Sequence, residues 1–264
     1  SIIKDLEPQE VKITKFGKVS DKKKLFNNKL SVSTVGNPDV QEMLYKGYTL
    51  KSNPVLKNIL PLNGVPLLSR VIRMAKKSGL FDEIIVSTED QEISSLAKYE
   101  GAKIHIRPKY LSTDHATVVE TCLDVLLDNP THLFCCIYAT AALIKISTLQ
   151  KSYKKFYNNK YTNVLMGVSK YNFHPVKAIN VNKKGYAKSL FKKFENIKSQ
   201  KFPVVRVSNG TFYWAQANKF IKEKTFYSKK LKLFDVKDEE TCDIDTLDDY
   251  KKLIKKFKIN FRNQ

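Results

Sequence analysis

The chain has 264 residues, of which 42% are hydrophobic and 28% are charged, so it can bury a full core and has the charged content of an ordinary soluble protein. No apolar run approaches the roughly 20 residues of a membrane span, and the start shows no signal-peptide pattern. The formal net charge of +21 indicates an anionic partner, either a nucleic acid, a membrane surface, or a polyphosphate with an acidic sugar. Alternatively, most of the lysines have no binding role, because they are scattered along the sequence rather than aligned in one stripe.

The four cysteines lack the C-x-x-C spacing that metal and redox sites often use. Cys135 and Cys136 are neighbours in an apolar run, so their side chains are expected on opposite faces of a sheet. With Cys122 and Cys242 they are interpreted as small core residues in a reducing compartment, which predicts a cytoplasmic protein. Because the chain begins with Ser1 rather than Met, we expect a processed or truncated piece.

The first 50 residues carry the weakest structural signals. Val11–Thr14 and Leu30–Val35 have the composition of short strands, and Asp21–Lys24 is a charge run typical of a solvated loop. We therefore predict two parts: a divergent amino-terminal segment of uncertain structure over residues 1–50, and the main domain over residues 51–264.

A helix is predicted after the tight turn that Asn63-Gly64 marks. Apolar residues recur at three- and four-residue spacing from Leu68 to Ala75, which indicates a single buried stripe. Gly79 is expected to cap the end of this helix. The next buried strand ends in polar residues that begin at Ser87, where open α/β sheets bind ligands.

Arg107 follows another predicted strand, Ala102–Ile106, which comes after a helix capped by Asp90. A planar guanidinium just past a strand end can bind phosphate or base oxygens, with a surface salt bridge as the alternative. Thr117 and Glu120 have capping-box spacing, so the next helix is expected to begin at the mouth of the site with free N–H groups.

Two later strands are expected to contribute to the same site. Leu133–Ile137 is a buried strand that runs into Tyr138, whose side chain is expected at the rim of a pocket. Gly210 would let a sugar approach the backbone, and Phe212–Trp214 would line the pocket or, alternatively, form a plain core strand. Between them, a helix is predicted at Ile146–Tyr157.

Asp243 and Asp245 form the most chemically specific pair in the sequence. Alternation along a predicted strand places both carboxylates on one face, with Ile244 buried behind them. Two carboxylates on one face repel each other unless a cation lies between them, and hard oxygen ligands with room for water and phosphate suit Mg²⁺. Thr246 and Asp249 have capping-box spacing, so a helix is predicted to follow.

Successive α–β units with short buried strands predict an α/β fold with a doubly wound, mostly parallel sheet. Several motifs also resemble those of the nonulosonic acid (acylneuraminate) cytidylyltransferases, the CMP-sialic acid synthetase group. These motifs are Lys57-Asn58 followed by P-L-L, S-G-L-F-D-E-I-I-V-S-T-E-D, R-P-x-x-L-S, N-G-x-x-Y and D-I-D-T-x-x-D-Y. The run F-C-C-I-Y-A-T-A-A-L is closest to the wording of the pseudaminic acid branch, with Ala142 in place of a proline.

The resemblance implies a nucleotidyltransferase, glycosyltransferase-A-like fold with a small dimerisation lobe. It implies transfer of CMP from CTP to an acidic nine-carbon sugar, with Mg²⁺ as cofactor, pyrophosphate as product and a homodimer as the assembly. No membrane or nucleic-acid partner is expected from it. The implied catalytic residues are Asp243, Asp245 and Lys57, with the two aspartates holding the metal. The implied nucleotide-binding residues are Lys57, Asn58, Ser87, Arg107 and Thr117, and the implied sugar-binding residues are Tyr138, Thr140, Asn209 and Tyr213.

One part of the family pattern is missing. The family opens with a strand and a loop of the form A-R-x-G-S-K-R before the K-N motif, whereas this chain offers Lys46, Gly47 and Lys51 ahead of Lys57. Either Leu30–Val35 is the first strand with a reworked loop, or the usual amino end is lost. The missing loop leaves open a catalytically impaired nucleotide-sugar-binding homologue. The positive charge leaves open a further alternative, a basic nucleic-acid-binding domain.

Overall fold

The computed structural model of the chain describes residues 10–14, 54–113, 115–159 and 161–260. Leu30–Val35 and Asp21–Lys24, for which a strand and a loop are predicted, lie outside the described residues. The described part contains one seven-stranded sheet and two small two-stranded sheets. In chain order the strands are β1 (Glu10–Thr14), β2 (Pro61–Leu62), β3 (Val65–Pro66), β4 (Glu83–Thr88), β5 (Lys103–Ile106), β6 (Leu133–Tyr138), β7 (Val164–Ser169), β8 (Ile179–Val181), β9 (Ala187–Ser189), β10 (Val207–Gln216) and β11 (Leu231–Asp235).

Seven α-helices of the described residues alternate with these strands or groups of strands along the chain. None of them is long and apolar enough to cross a membrane. They are α1 (Pro54–Ile59), α2 (Leu67–Ser78), α3 (Gln91–Tyr99), α4 (Val118–Asp128), α5 (Ile146–Tyr157), α6 (Ala217–Glu223) and α7 (Leu247–Asn260).

The large sheet has the strand order β11-β7-β10-β6-β1-β4-β5. β1 pairs antiparallel with β4 and β6, and β10 pairs antiparallel with β6 and β7. The β4–β5 and β7–β11 pairs are parallel. Strands β4, β5, β6, β7 and β11 therefore share one direction, as a mostly parallel sheet requires, but β1 and β10 lie between them and make the sheet mixed. The predicted α/β class is confirmed.

The local signals around α2 are confirmed. Asn63 and Gly64 both have positive φ angles, 51° and 73°, in the two-residue turn that joins β2 to β3. This is the backbone that an Asn-Gly hairpin turn needs. Gly79 ends the helix in the left-handed region with φ 67°. The apolar stripe of α2 is buried, with Val71 and Ile72 in the main core.

Aromatic packing fills the core between the sheet and α5. Trp214 on β10 is fully buried and stacks on Phe81, with ring centroids 5.4 Å apart. Its indole N–H donates to the Ser152 hydroxyl of α5 at 2.8 Å, so the one polar atom of the ring is satisfied inside the core. Phe212 on the same strand is also fully buried. The alternative of a core strand therefore holds for these two aromatic residues.

A second core cluster holds the carboxyl-terminal part of the chain against the start of the main domain. Ile244 and residues of α7 pack in this cluster against leucines of the β2–β3 region and the loop after β6. The Tyr250 hydroxyl donates to the Pro61 carbonyl, which adds a polar link. This cluster decides where the flanking aspartates lie. Its buried members are Leu60, Leu62, Leu67, Leu143, Ile244, Tyr250 and Leu253.

Residues 170–206 contain the β8–β9 hairpin and expose many large apolar side chains. We call this segment the hairpin lobe. It includes the region for which the dimerisation lobe is predicted, and that assembly role stays a prediction. Its exposed apolar residues are Tyr171, Phe173, Ile179, Val181, Tyr186, Leu190, Phe191 and Val204.

Candidate active site

Strand direction brings polar residues from four strands to one edge of the large sheet. The carboxyl ends of β4, β5, β6 and β7 share this edge, and β10 begins here because it runs the opposite way. Ser87 lies near the end of β4 and Arg107 directly follows β5. Tyr138 ends β6, and Asn209 lies near the start of β10. Four of the predicted ligand-binding residues therefore lie along the same edge.

The Lys57 ammonium and the Asp245 carboxylate form an ion pair at the end of α1. Nζ lies 2.7 Å from Oδ1, and the lysine side chain is largely buried. The neighbouring Ile244 is fully buried in the second core cluster. Truncating a buried isoleucine to alanine typically costs about 2–5 kcal/mol, so packing fixes the position of the aspartate beside it. The structure thus brings two predicted catalytic residues together.

The strand predicted at Asp243 and Asp245 is wrong, because residues 241–246 belong to no strand. Among the described residues, no strand pairs with this segment, so it has no ladder of hydrogen bonds. The expected alternation is nevertheless present: Ile244 points into the core while Asp243 is exposed and Asp245 is partly exposed. Packing against the leucines of the second core cluster, rather than a sheet, produces it.

The two aspartates influence each other electrostatically. Partial desolvation by surrounding protein atoms and the nearby Asp245 charge raise the pKa of Asp243, while the Lys57 ammonium opposes this shift. The Asp243 carboxylate also accepts a hydrogen bond from the Ile244 N–H at 3.1 Å. A carboxyl group whose pKa is raised by a neighbouring carboxylate would be stabilised by a bound cation.

The donor chemistry of Asp243 and Asp245 fits Mg²⁺. Both groups are hard oxygen donors, and the described residues contain no group of three or more acidic, histidine or cysteine side chains that could hold a metal ion. Mg²⁺ is commonly bound by one or two carboxylates, with water and substrate phosphates completing its six positions. The fit is therefore to a metal that arrives with a phosphate ligand, and not to a metal caged by protein.

Arg107 is turned back toward the end of β4. Its Nη2 donates to the Ser87 carbonyl at 2.7 Å, and its Nε lies 3.4 Å from the Ser87 hydroxyl and 3.8 Å from a Glu89 carboxylate oxygen. The arginine side chain is only 9% exposed. The alternative of a salt bridge is present as the Glu89 contact, but the arginine side chain is buried and its closest contacts are to a strand end.

Two other predicted nucleotide-binding residues have structural roles that limit their reach. Thr117 forms the predicted capping box of α4, with its hydroxyl accepting from the Glu120 N–H at 3.2 Å. Asn58 is almost fully buried, with 2% of its surface exposed. Contact of either side chain with a nucleotide stays a prediction.

The rings of Tyr138 and Tyr213 pack together near the edge of the sheet that carries the candidate active site. Their ring centroids are 5.9 Å apart, and each ring is more than nine-tenths buried. The Tyr213 and Ser208 hydroxyls are 2.7 Å apart. Burial raises the pKa of Tyr213 to about 12 despite hydrogen bonds with Ser208 and Tyr138, so this phenol is neutral at physiological pH. Thr140 is buried just beyond Tyr138.

The neighbours of Gly210 pack closely against β7, although a Cβ atom on Gly210 itself would meet nothing within 4 Å. Gly210 has φ 61°, a conformation that favours glycine. Asn209 donates through Nδ2 to the Ser169 hydroxyl at 3.1 Å and accepts from the Thr211 hydroxyl at 2.6 Å. A Cβ atom on Gly167 would lie 2.5 Å from the Thr211 hydroxyl oxygen, so β7 leaves no room for a side chain there. The Asn209 amide is thus held in place by two fixed contacts.

Comparison with known families shows to which family the chain belongs. The profile of the family described as cytidylyltransferase matches residues 55–261. The chain belongs to the cytidylyltransferase family. It is therefore an enzyme of the nucleotidyltransferase type.

Two relatives illustrate the range of this cytidylyltransferase family. Over 200 residues the chain is 30% identical to the pseudaminic acid cytidylyltransferase of Campylobacter jejuni, covering 73% of this chain and 85% of the relative. Over 197 residues it is 26% identical to the N-acylneuraminate cytidylyltransferase of Streptococcus agalactiae, covering 74% of this chain and 48% of the relative. The resemblance stated from the sequence motifs is confirmed.

Solved structures confirm the fold. The chain matches the structure of CMP:2-keto-3-deoxy-manno-octonic acid synthetase complexed with CTP with a TM-score of 0.55, over 75% of this chain and 90% of that one. Because the sequence identity is 14%, this similarity establishes the fold alone, which is the nucleotidyltransferase fold.

The direction of β1 bears on the missing phosphate loop. The strand predicted at Val11–Thr14 is confirmed as β1, but it runs antiparallel to both β4 and β6. Glu10 is paired with Tyr138 at the site edge, whereas Thr14 is paired with Glu83 and Phe134 at the opposite edge. The last residue of β1 therefore lies at the edge of the sheet opposite the candidate active site.

Sequence reasoning missed a buried histidine beside the nucleotide-binding residues. His105 lies on β5, two residues before Arg107, and its ring contacts Ser87 and carboxylates of α4. The available signal was alternation, since residues two apart in a strand share a face. A polar residue that lies between two isoleucines of a strand, on the same face as a predicted binding arginine, marks such a position.

Proposed function

We propose that this cytidylyltransferase transfers CMP from CTP to a nonulosonic acid and releases pyrophosphate. The observation that carries the proposal is the Lys57–Asp245 ion pair beside Asp243, which joins two distant parts of the chain at 2.7 Å. An ammonium next to two carboxylates offers groups for both a polyanion and its counter-cation. The relatives named for pseudaminic acid and N-acylneuraminate support an acidic nine-carbon sugar as acceptor.

Pseudaminic acid is the acceptor that we favour. The support is the run F-C-C-I-Y-A-T-A-A-L, which contains Tyr138 and Thr140 at the end of β6. The likeness to the Campylobacter jejuni relative extends over most of both chains. Tyr138 and Tyr213 would face the apolar side of the sugar, and the fixed Asn209 amide would bind its polar groups.

The reaction is an in-line displacement at the α-phosphorus of CTP. The anomeric hydroxyl of the sugar gives up its proton to water and forms the new O–P bond, the bond from the α-phosphorus to the bridging oxygen breaks, and pyrophosphate carries away the electron pair. Asp243 and Asp245 would hold Mg²⁺, which supplies positive charge against the phosphate oxygens. Lys57 adds a fixed positive charge at the same place, and Arg107 and Ser87 would orient the nucleotide.

Two features of the assembly and setting belong to this proposal. The exposed apolar residues of the hairpin lobe would pack against a second copy of the chain, giving a homodimer whose second subunit closes the sugar pocket.

All four cysteines are free, which supports a reducing compartment and so the cytoplasm.

A second candidate is a binding protein with weak or no catalysis. The observation that favours it is the antiparallel direction of β1, whose last residue, Thr14, lies at the edge opposite the site. A chain without the A-R-x-G-S-K-R loop would retain Lys57 and Arg107 but lack the family's other triphosphate contacts.

A pyrophosphate-release assay separates these candidates. The protein is incubated with Mg²⁺, a panel of nonulosonic acids and each of CTP, UTP and ATP, and CTP binding is measured by calorimetry in parallel. The proposal predicts turnover with CTP and the highest rate with pseudaminic acid. CTP binding without turnover would support the impaired homologue. Equal turnover with UTP or ATP contradicts a cytidylyltransferase, and an RNA affinity above the CTP affinity would favour a nucleic-acid-binding domain.

A further inference from the structure

A chain of polar contacts runs from α4 to the nucleotide-binding edge. The His105 Nε2 atom lies 3.2 Å from an Asp124 carboxylate oxygen, and its Nδ1 atom lies 3.0 Å from the Ser87 hydroxyl. The Ser87 hydroxyl and carbonyl are in turn the atoms that Arg107 approaches, at 3.4 and 2.7 Å. The contacts link a carboxylate, an imidazole, a hydroxyl and a guanidinium in sequence.

The carboxylates fix the direction of the hydrogen bond at Nε2, and the neutral form of the ring then sets the direction at Nδ1. Asp124 and Asp128 both face Nε2, at 3.2 and 3.5 Å, and ionised carboxylates only accept, so Nε2 carries a hydrogen. In the neutral imidazole Nδ1 then accepts, and the Ser87 hydroxyl donates to it. The Ser87 oxygen is left with lone pairs toward the Arg107 N–H. The tautomer of His105 thus orients Ser87 for the arginine.

Burial makes this network a fixed one. His105 is 5% exposed, Ser87 is 1% exposed and the Arg107 side chain is 9% exposed. Polar groups that are buried to this extent cannot exchange their partners for bulk water, so breaking one contact leaves a group unsatisfied. The strands β4 and β5 are paired at these residues, with Ser87 opposite His105, which keeps the ring and the hydroxyl in register.

We propose that His105 is a positioning residue that holds Ser87, and through it Arg107, in the orientation that binds the CTP nucleotide. The inference rests on the proposed function, because it assumes that Arg107 and Ser87 meet the nucleotide. Asp124 fixes the imidazole from the far side. His105 itself touches no substrate, so its loss weakens CTP binding more than it slows the chemical step.

Two substitutions of His105 separate its two contacts. In His105→Gln the side-chain amide takes the place of Nε2 and remains able to contact Asp124, but the acceptor for Ser87 is lost. In His105→Asn the amide takes the place of Nδ1, so the Ser87 contact is retained. Loss of one buried hydrogen bond corresponds to roughly a three- to tenfold change. His105→Gln should therefore raise the KM for CTP and the calorimetric Kd of CTP with Mg²⁺ by about three- to tenfold, with a smaller change in kcat, and His105→Asn should restore most of the affinity.

A double-mutant cycle tests whether His105 acts through Ser87. In a Ser87→Ala background, His105→Gln should cause no further loss of CTP affinity. His132→Gln is the matched control, because His132 is exposed and lies just before β6 at the opposite edge of the sheet. Thermal unfolding of each variant shows that it is folded. If His105→Gln does not fold, Asp124→Asn takes its place in the same cycle.

The outcomes distinguish this inference from the proposed function. A wild-type chain that does not bind CTP overturns the proposed function, and the positioning role with it. If the wild type binds CTP but His105→Gln behaves like His132→Gln, only the positioning role is overturned. The positioning role is also overturned if the loss of CTP affinity persists undiminished in the Ser87→Ala background, because His105 would then act by another route.

Discussion

At the scale of single residues, charge placement distinguishes the candidate active site from the rest of a very basic surface. Most lysines of the described residues are exposed, but the Lys57 side chain is largely buried and paired with Asp245. A buried charge is retained where a partner compensates its desolvation, and removing that partner typically costs more than removing an exposed pair. The buried Lys57–Asp245 pair is therefore a stronger candidate for a catalytic role than the exposed lysines are.

Asp245→Asn should abolish Mg²⁺-dependent turnover while the protein stays folded. The amide keeps the size of the side chain and can still accept from Lys57, but it removes one negative charge from the proposed metal site. Pyrophosphate release measured against Mg²⁺ concentration tests the effect, with circular dichroism to check folding. Asp248→Asn is the matched control, since that side chain is exposed and paired only with Lys251 among the described residues. Full activity of a folded Asp245→Asn protein contradicts the metal assignment.

Tyr213→Phe should weaken binding of the sugar more than binding of CTP. The phenol is buried, and its hydroxyl is hydrogen-bonded to that of Ser208. Since its pKa is raised to about 12, it is a neutral hydrogen-bonding group at the proposed sugar pocket. Loss of one such hydrogen bond corresponds to roughly 0.5–1.5 kcal/mol, or up to about tenfold in the KM of the sugar. Steady-state kinetics with each substrate varied in turn measures the difference. Tyr157→Phe, at an exposed position, should change neither constant.

At the scale of elements, the helices and buried strands were predictable because local signals and burial agree. The ends of α2, α3 and α4 follow from Gly79, Asp90 and Thr117, whose capping contacts the structure shows. The segment at Asp243 and Asp245 was predicted as a strand because side-chain alternation alone does not show whether a partner strand is present. The direction of β1 in the sheet could not be predicted either, because the residue pattern of a strand is the same in parallel and antiparallel pairing.

The capping box of α4 should make stability depend on pH. Hydrogen bonds from the Thr117 backbone and hydroxyl lower the pKa of Glu120 below its usual 4.5. A lowered pKa in the folded state means that the ionised group stabilises the fold above about pH 4.5, and that this contribution is lost as the pH falls through the folded-state pKa. Wild type should therefore exceed Glu120→Gln in unfolding free energy at pH 7, with the difference shrinking toward pH 3. Urea unfolding at several pH values measures it, and a constant difference contradicts the cap.

At the scale of the whole molecule, the hairpin lobe combines exposed apolar residues with many lysines. Phe173 and Val204 are among the most exposed large apolar side chains of the described residues, at 89% and 87%. Such a surface indicates an interface when the exposed groups are contiguous. The sequence predicted a lobe only through the family resemblance, because no local pattern states what an exposed hairpin contacts.

Phe173→Asp combined with Ile179→Asp should convert a homodimer into a monomer. Both side chains are exposed in the hairpin lobe, so the charges disturb an interface without entering the core. Light scattering coupled to size exclusion measures the mass of wild type and variant. Tyr157→Asp, an exposed aromatic position on α5 outside the lobe, serves as the control and should leave the mass unchanged. A wild-type chain that is monomeric at high concentration contradicts the dimer.

Insertion of an A-R-x-G-S-K-R loop ahead of Lys57 should raise activity. In the resembled family this loop brings an arginine and a lysine to the triphosphate, and glycine lets the backbone approach it. Here β1 ends at the opposite edge of the sheet, and α1 begins at Pro54, which lacks a backbone N–H to donate. Each charge-assisted hydrogen bond that is absent corresponds to roughly 1.5–3 kcal/mol, or about tenfold to a hundredfold in affinity or rate.

We therefore expect weak CTP binding and slow turnover of the present chain, with kcat/KM for CTP increased at least tenfold by the inserted loop. The matched control is the same insertion with its arginines and lysine replaced by alanine, which tests charge separately from length. An increase with both loops would assign the gain to backbone geometry alone. If the present chain already turns over at about 1–100 per second, a rate typical of phosphoryl-transfer enzymes, then residues ahead of Lys57 supply the triphosphate contacts in another way.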